Sequence, residues 1–242
     1  MTHEILSDQH STWQSKPVLR RIYEDYYRRI AAVCVAGTTL EIGGGSGNLK
    51  RFLDHVVSSD LVANPWVDVA ADAQTLPFAD NSIDNIVGVD ILHHIEQPGL
   101  FLDEALRILK TGGRVVLLEP AITPVSTLFF RWFHPEPVDM SIDPLAEVAS
   151  NPNRQPFDAN QAIPTLLFYR HFDRWQERYP GFRLIGRERF SFLAYPLSGG
   201  FRPWSLIPVA LVEPLLHLEA KLAPALGRFM AFRLLVTLEK QQ

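Results

Sequence analysis

Four glycines stand within five positions in the stretch LEIGGGSGNLKRFLD, Leu40 to Asp54. The run that leads into it, TTLEIG, is short and apolar, as a buried strand of a parallel sheet requires. The residues beyond it carry helical spacing. A strand passing through a glycine turn into a helix belongs at the carboxyl edge of an open α/β sheet, and a turn of this kind cradles a cofactor. What can be said of the chain depends on which cofactor that is.

The alternation continues downstream. PVLRRIYEDYYRRIAAVCV, residues 17–35, has the spacing of a helix ahead of the core. The glycine turn is expected to open a helix from Asn48 to about His55. HVVSSD and VDVAAD read as a second and third strand, and IDNIVGVDIL as a fourth that ends near Asp90. PGLFLDEALRILK reads as a helix, with Pro98 in its first turn and Leu102, Leu106 and Leu109 on one face. Thr111-Gly112-Gly113 is expected to stop it, and RVVLLEP follows as a fifth strand. Only eleven residues separate Asp60 from Asp72, too few for a crossover helix and a strand, so a loop is expected there. Short apolar strands alternating with helices imply a doubly wound, mostly parallel sheet.

Beyond Pro120 the pattern loosens. Residues 121–165 are rich in proline and aromatics and read as an insertion. YRHFDRWQERYPGF reads as a helix, RLIGRERFSFLAYP as a strand and FRLLVTLEK as a closing strand. Between those strands, residues 199–228 form an apolar, proline-interrupted helical insertion. The expected division is an N-terminal helical segment (1–36), a core (37–120), a first insertion (121–165), more core (166–198), a second insertion (199–228) and a closing strand (229–242).

Bulk properties narrow the function classes. A net charge of −4 gives no global attraction to nucleic acid. Cys34 is the lone cysteine, so the chain forms no internal disulfide and suits a reducing compartment. The polar start MTHEILSDQHSTWQSK has no signal-peptide core, and no uncharged apolar run reaches the roughly 18 residues of a membrane span. The expectation is a cytoplasmic protein.

The glycine turn does not fit the dinucleotide fingerprint, because Asn48 stands where the third glycine is needed for close helix packing. It does not fit the phosphate-binding Walker pattern either, since no Gly-Lys-Ser/Thr follows at the required offset. What remains is E-x-G-x-G-x-G, written by Glu41, Gly43, Gly45 and Gly47. With it stand the acidic end of VVSSD, ADAQTLPFADNSID, DILHHI and LDEALRILKTGGRVVLLEP, in that order. From Thr39 to Pro120 the chain thus resembles the class I S-adenosylmethionine-dependent methyltransferases. The resemblance implies a seven-stranded, Rossmann-like sheet with S-adenosylmethionine at its crest. It also implies a cofactor site of Glu41, Gly43, Gly44, Gly45, Gly47, Asp60, Asp72, Ala73 and Asp90. The bare backbone at Gly43 and Gly45 would let the methionine and ribose portions approach. Asp60 would accept from both ribose hydroxyls, Asp72 and the Ala73 amide would clamp the adenine, and Glu41 would face the cationic amino group. Local roles compete: Asp60 and Asp72 as turn formers, Glu41 as the cap of a neighbouring helix.

The acceptor belongs over the carboxyl ends of the strands, where both insertions are expected to meet as a cap. Phe129, Phe130, Trp132, Phe133, Phe201, Trp204 and Leu206 would give it a pocket for a small molecule with an apolar, lipid-like body. Methyl transfer from a sulfonium needs chiefly alignment, with a general base where the acceptor is a hydroxyl or acidic carbon. His93 and His94, just after the fourth strand, are the candidate catalytic residues, with His134, Tyr169 and His171 behind them. Adjacent histidines without a third donor at a telling spacing indicate no metal site. WSLIPVALVEPLLHL allows peripheral membrane contact, although its own polar face is poor in Lys and Arg. Two other functions compete: a cofactor-binding, non-catalytic scaffold, and a dehydrogenase, which Asn48 disfavours.

Overall fold

The computed structural model describes residues 2–45, 47–147, 149 and 151–242. Two helices, α1 (Thr2–Ser15) and α2 (Pro17–Val33), precede the sheet. The core then runs β1 (Thr39–Ile42), β2 (Val56–Asp60), β3 (Val69–Ala70), β4 (Ile83–Val89), α3 (Pro98–Ile108) and β5 (Leu109–Pro120). After it come α4 (Pro124–Phe133), α5 (Ile163–Thr165) with a π-turn at Leu166–Arg170, and α6 (Phe172–Arg178). β6 (Phe182–Phe190), α7 (Ala194–Ser198), α8 (Val212–Met230) and β7 (Arg233–Lys240) complete the chain. The sheet has seven strands in the order β3-β2-β1-β4-β5-β7-β6, and β7 alone runs antiparallel to its neighbours. This is the α/β arrangement anticipated above.

Both faces of the sheet are covered, which explains why RVVLLEP is almost wholly apolar. Val115 and Leu117 face a layer containing Phe101, Leu102 and Trp175, while Val116 and Leu118 face Ile22, Tyr26 and Leu216. Between Asp60 and Val69 the chain runs as a loop, as the short spacing required.

The strand expected over RLIGRERFSFLAYP ends at Phe190, and Ala194–Ser198 is helical instead. Two further elements differ from expectation. The helix foreseen from Asn48 to His55 is a single 3-10 turn, Asn48–Arg51. Thirteen residues join β1 to β2, and the glycine turn takes five of them, so little chain is left for a crossover helix. His55 is already in a left-handed conformation (φ 54°), turning the chain into β2. N-terminal helices fill the space: Phe52 stacks on Tyr27 of α2 at 4.9 Å, and the Arg51 guanidinium lies 5.0 Å over Trp13 of α1. The second difference is at Thr111-Gly112-Gly113. The α3 helix has ended by Ile108, and the glycines sit inside β5, where its pairing with β4 shifts register.

Candidate active site

A cavity of about 1080 Å³ opens over the carboxyl ends of β1, β2, β4 and β5, large enough for a cofactor and an acceptor together. At one end the wall is the glycine turn. Gly43, at φ +62°, lies so close to Ile91 that a Cβ would stand 2.6 Å from that side chain. A Cβ on Gly45 would make only ordinary contacts, the nearest with Leu6 at 3.8 Å, and the bare chain there lines the cavity. Gly44 lines the same wall, whereas Gly47 does not; it is backed by the Trp66 carbonyl.

Four carboxylates edge this end. Asp60 accepts from the Gly45 and Val62 amides, both at 3.0 Å, one on each oxygen. Asp72 accepts from the Gln74 amide at 2.8 Å. Each therefore forms the local turn anticipated as its competing role, yet both still line the cavity with lone pairs to spare, beside Ala73. Buried Glu41 accepts from Ser58 Oγ at 2.5 Å and from the Leu49 amide, so it does cap the following turn. Burial pushes its pKa up to about 7. Asp90 is engaged more fully: Arg233 Nη1 and the Tyr23 hydroxyl both donate to it. Arg233 is itself buried, 4.2 Å over the Tyr195 ring.

The bare backbone and carboxylates suit a nucleoside bearing hydroxyl and amino donors and a positive charge.

His93 and His94 lie on the floor of the cavity with their rings 4.3 Å apart, in very different settings. His93 is buried, and its Nδ1 donates to Glu119 Oε2 at 2.6 Å. The other Glu119 oxygen accepts from the Ile91 and Leu92 amides, which locks the β4 and β5 ends together. Nε2 of His93 lies 3.4 Å from Glu136 Oε2. Burial opposes a charge on His93, but Glu119 and Glu136 together lift it to about 10. Glu136, although half-buried, is held down to about 2 by the same pairing. Burial and the charge on His93 lower His94, whose Nε2 is 4.0 Å from Glu136 Oε1. At neutral pH, then, His93 is an imidazolium and His94 a free base. The donor atoms of His93, His94 and Glu136 lie within 4.8 Å of one another, close enough to share a small cation. Glu136, forty-two positions past His94, is thus the third donor that the spacing around His93 and His94 did not reveal.

The far wall is aromatic. Phe129, Phe130 and Phe133 from the first insertion and Phe201, Trp204 and Leu206 from the second line the cavity, as foreseen. Trp132 does not: it points outward and is 69% exposed, because α4 turns only one face inward. Of the remaining candidates, His134 lines the cavity and takes a hydrogen bond from Gln161, while Tyr169 and His171 lie elsewhere. The 198–204 loop is gathered around Lys16. Its buried ammonium donates to the carbonyls of Ser198, Gly200, Arg202 and Trp204 at 2.6–2.9 Å. Sequence reasoning also missed Leu6, Gln9 and Trp13 of α1, which reach the cavity. A lone acid in an apolar strand was the one available signal for Glu119.

Comparison with known proteins supports the resemblance seen in the glycine turn. Residues 40–117 match a family model described as a methyltransferase domain. The chain is 32% identical over 124 residues to a ubiquinone/menaquinone biosynthesis C-methyltransferase of Saccharophagus degradans, covering 42% of this chain and 50% of that protein. It is 46% identical over 113 residues to a demethylmenaquinone methyltransferase of Clavibacter sepedonicus, covering 39% and 46%. The chain thus spans about half the length of the curated relatives it matches. A solved S-adenosylmethionine-dependent methyltransferase of Thermotoga maritima shares the fold, with a TM-score of 0.55 at 16% identity, covering 99% of this chain and 98% of that one.

Proposed function

We propose, on the premise that residues 40–117 form a methyltransferase domain, that the protein moves a methyl group from S-adenosylmethionine to an oxygen or acidic carbon of a small, partly apolar or lipid-like metabolite. The observation that carries this reading is a single cavity with a glycine-and-carboxylate wall at one end, an aromatic wall at the other and a free imidazole, His94, between them.

The cofactor supplies an electrophilic methyl on a sulfonium. Gly43, Gly44 and Gly45 give it bare backbone, with Gly47 shaping the turn. Asp60 takes the ribose hydroxyls, Asp72 and Ala73 the adenine, and Glu41 the amino group, while Asp90 braces the wall through Arg233. The two insertions act as the cap, and their aromatics exclude water from the acceptor's apolar body. His94 removes the proton that the acceptor loses, a contribution of about 10²–10⁴ in rate. Glu136 steadies the imidazolium formed on His94. His93, held as a cation by Glu119, fixes Glu136 in place and is a positioning residue. The two relatives named for quinone and menaquinone methylation support a carbon acceptor on an aromatic, lipid-like molecule.

The test is calorimetric titration with S-adenosylmethionine and with NAD, followed by transfer of labelled methyl to a panel of phenols, quinols and acyl acceptors. Saturable binding of S-adenosylmethionine alone, weakened tenfold or more in Asp60→Ala, is the expected result. Unchanged affinity in that variant removes Asp60 from the site, and binding without transfer to any acceptor favours the non-catalytic scaffold.

A further inference from the structure

We propose that α4, the 199–211 loop and the outer face of α8 seat this protein on an anionic lipid bilayer, with the cavity mouth turned toward the membrane. The inference rests in part on the reading of a lipid-like acceptor and extends it to where that acceptor is collected.

Three observations converge. First, α8 carries two apolar stripes. Val212, Leu216, Ala223 and Leu226 pack inward on the sheet. Leu211, Leu215, Leu218, Leu222, Ala225 and Phe229 follow each other at steps of four and three, which places them on one adjoining face. Leu211, Leu218, Leu222 and Phe229 of that set are exposed, with the Arg228 guanidinium 4.5 Å over the Phe229 ring. Second, α4 packs against α8 and exposes its own stripe of Val125, Leu128 and Trp132. Third, Val125, Phe133, Trp204 and Leu206 are exposed and line the cavity as well, so the mouth itself has an apolar rim. A monomer rarely leaves so much contiguous apolar surface in water.

Charge decides what covers it. Segments 121–133 and 199–230 carry Arg131, Arg202, Lys221 and Arg228 at the surface, against Glu213. Their other acid, Glu219, is buried and accepts from the Leu193 and Ala194 amides. In a chain of net charge −4 this face is cationic. The α8 sequence read alone is poor in cations; Arg131 and Arg202 reach the same face from other segments, and Arg202 Nη2 donates to the Phe133 carbonyl at the rim. Lys221 and Arg228 flank the outer stripe of α8 on its open side, so pairing with a second copy through that stripe would set like charges together. Anionic headgroups complement them, and the apolar stripes reach the acyl boundary. An acceptor dissolved in the bilayer then enters the cavity without crossing water.

The test is co-sedimentation with vesicles of equal parts phosphatidylcholine and phosphatidylglycerol, against vesicles of phosphatidylcholine alone. The protein should bind the anionic vesicles and lose at least tenfold in partition when salt is raised to about 0.5 M. Lys221→Glu with Arg228→Glu should lower partition about 25-fold or more, since each cation near such a surface contributes about fivefold. Trp132→Glu with Leu222→Glu should lower it at least tenfold, with circular dichroism and S-adenosylmethionine affinity unchanged. No binding to anionic vesicles, or full binding by the Trp132/Leu222 variant, overturns the proposal. So does a dimer in light scattering that this variant dissolves. Cofactor titration of the wild type is read separately: its failure sinks the proposed function and leaves the vesicle result standing.

Discussion

His93 and His94 are adjacent in sequence and opposite in chemistry, and the cause is two carboxylates the sequence does not associate with them. Glu119 and Glu136 hold a proton on His93; that charge, with burial, keeps His94 neutral. His94→Gln should therefore cut kcat about 10²–10⁴-fold while leaving cofactor affinity intact. The acid limb of kcat should fall below pH 6.5, the ordinary histidine value, because His94 must be unprotonated to act and its pKa is lowered. Cofactor affinity should have a separate limb. Glu41 titrates at about 7, so binding of a cationic amino group should weaken as pH drops through 7, and Glu41→Gln should abolish that dependence in calorimetry. His93 gives a stability signal of its own. Its folded pKa of about 10 lies above the unfolded value near 6.5, so the stabilisation is full below 6.5 and is lost as pH rises to 10. Urea midpoints should fall across that window in the wild type and much less in His93→Gln. The pair of histidines was legible in DILHHI; their opposite charge preference was not, because it depends on Glu119, 26 positions past His93, and Glu136, 42 past His94.

At the scale of elements, what was legible is what local pattern controls. β4, β5 and α3 follow from apolar period and from Pro98, and the missing crossover before β3 follows from counting residues. The helix after the glycine turn could not be excluded that way, because NLKRFLDH has helical spacing; a short connection and the packing of α1 and α2 override it. α1 itself was unreadable as a wall of the site, since its sequence is polar and its few inward residues touch the cavity only through tertiary placement. The glycine turn is the most demanding element. Gly43→Ala forces a left-handed conformation on a residue with a Cβ and drives it into Ile91. That change should cost about 2–4 kcal/mol in urea unfolding and should weaken cofactor binding as the turn shifts.

For the molecule as a whole, the site is a meeting of distant segments. Arg233, which opens the last strand, is buried against Asp90 at the end of β4 and stacked on Tyr195. Arg233→Met strips Asp90 of its cation and should destabilise the fold by about 3–5 kcal/mol, read by thermal or urea unfolding. The aromatic wall of the cavity was legible as composition, in aromatics placed after the fifth and sixth strands, but which of them face inward was not, and Trp132 points to solvent. Lys16 ties these parts together, with four carbonyls of the 198–204 loop drawn to one ammonium. Lys16→Met should loosen that loop and raise KM for the acceptor, with cofactor affinity unchanged. The same hub sets a sequence in time. Its donor leaves the ribosome more than 180 residues before its acceptors, so Lys16 must wait until the loop has been made and folded back on it. In pulse-labelling during refolding, the loop amides should gain protection among the last in the molecule.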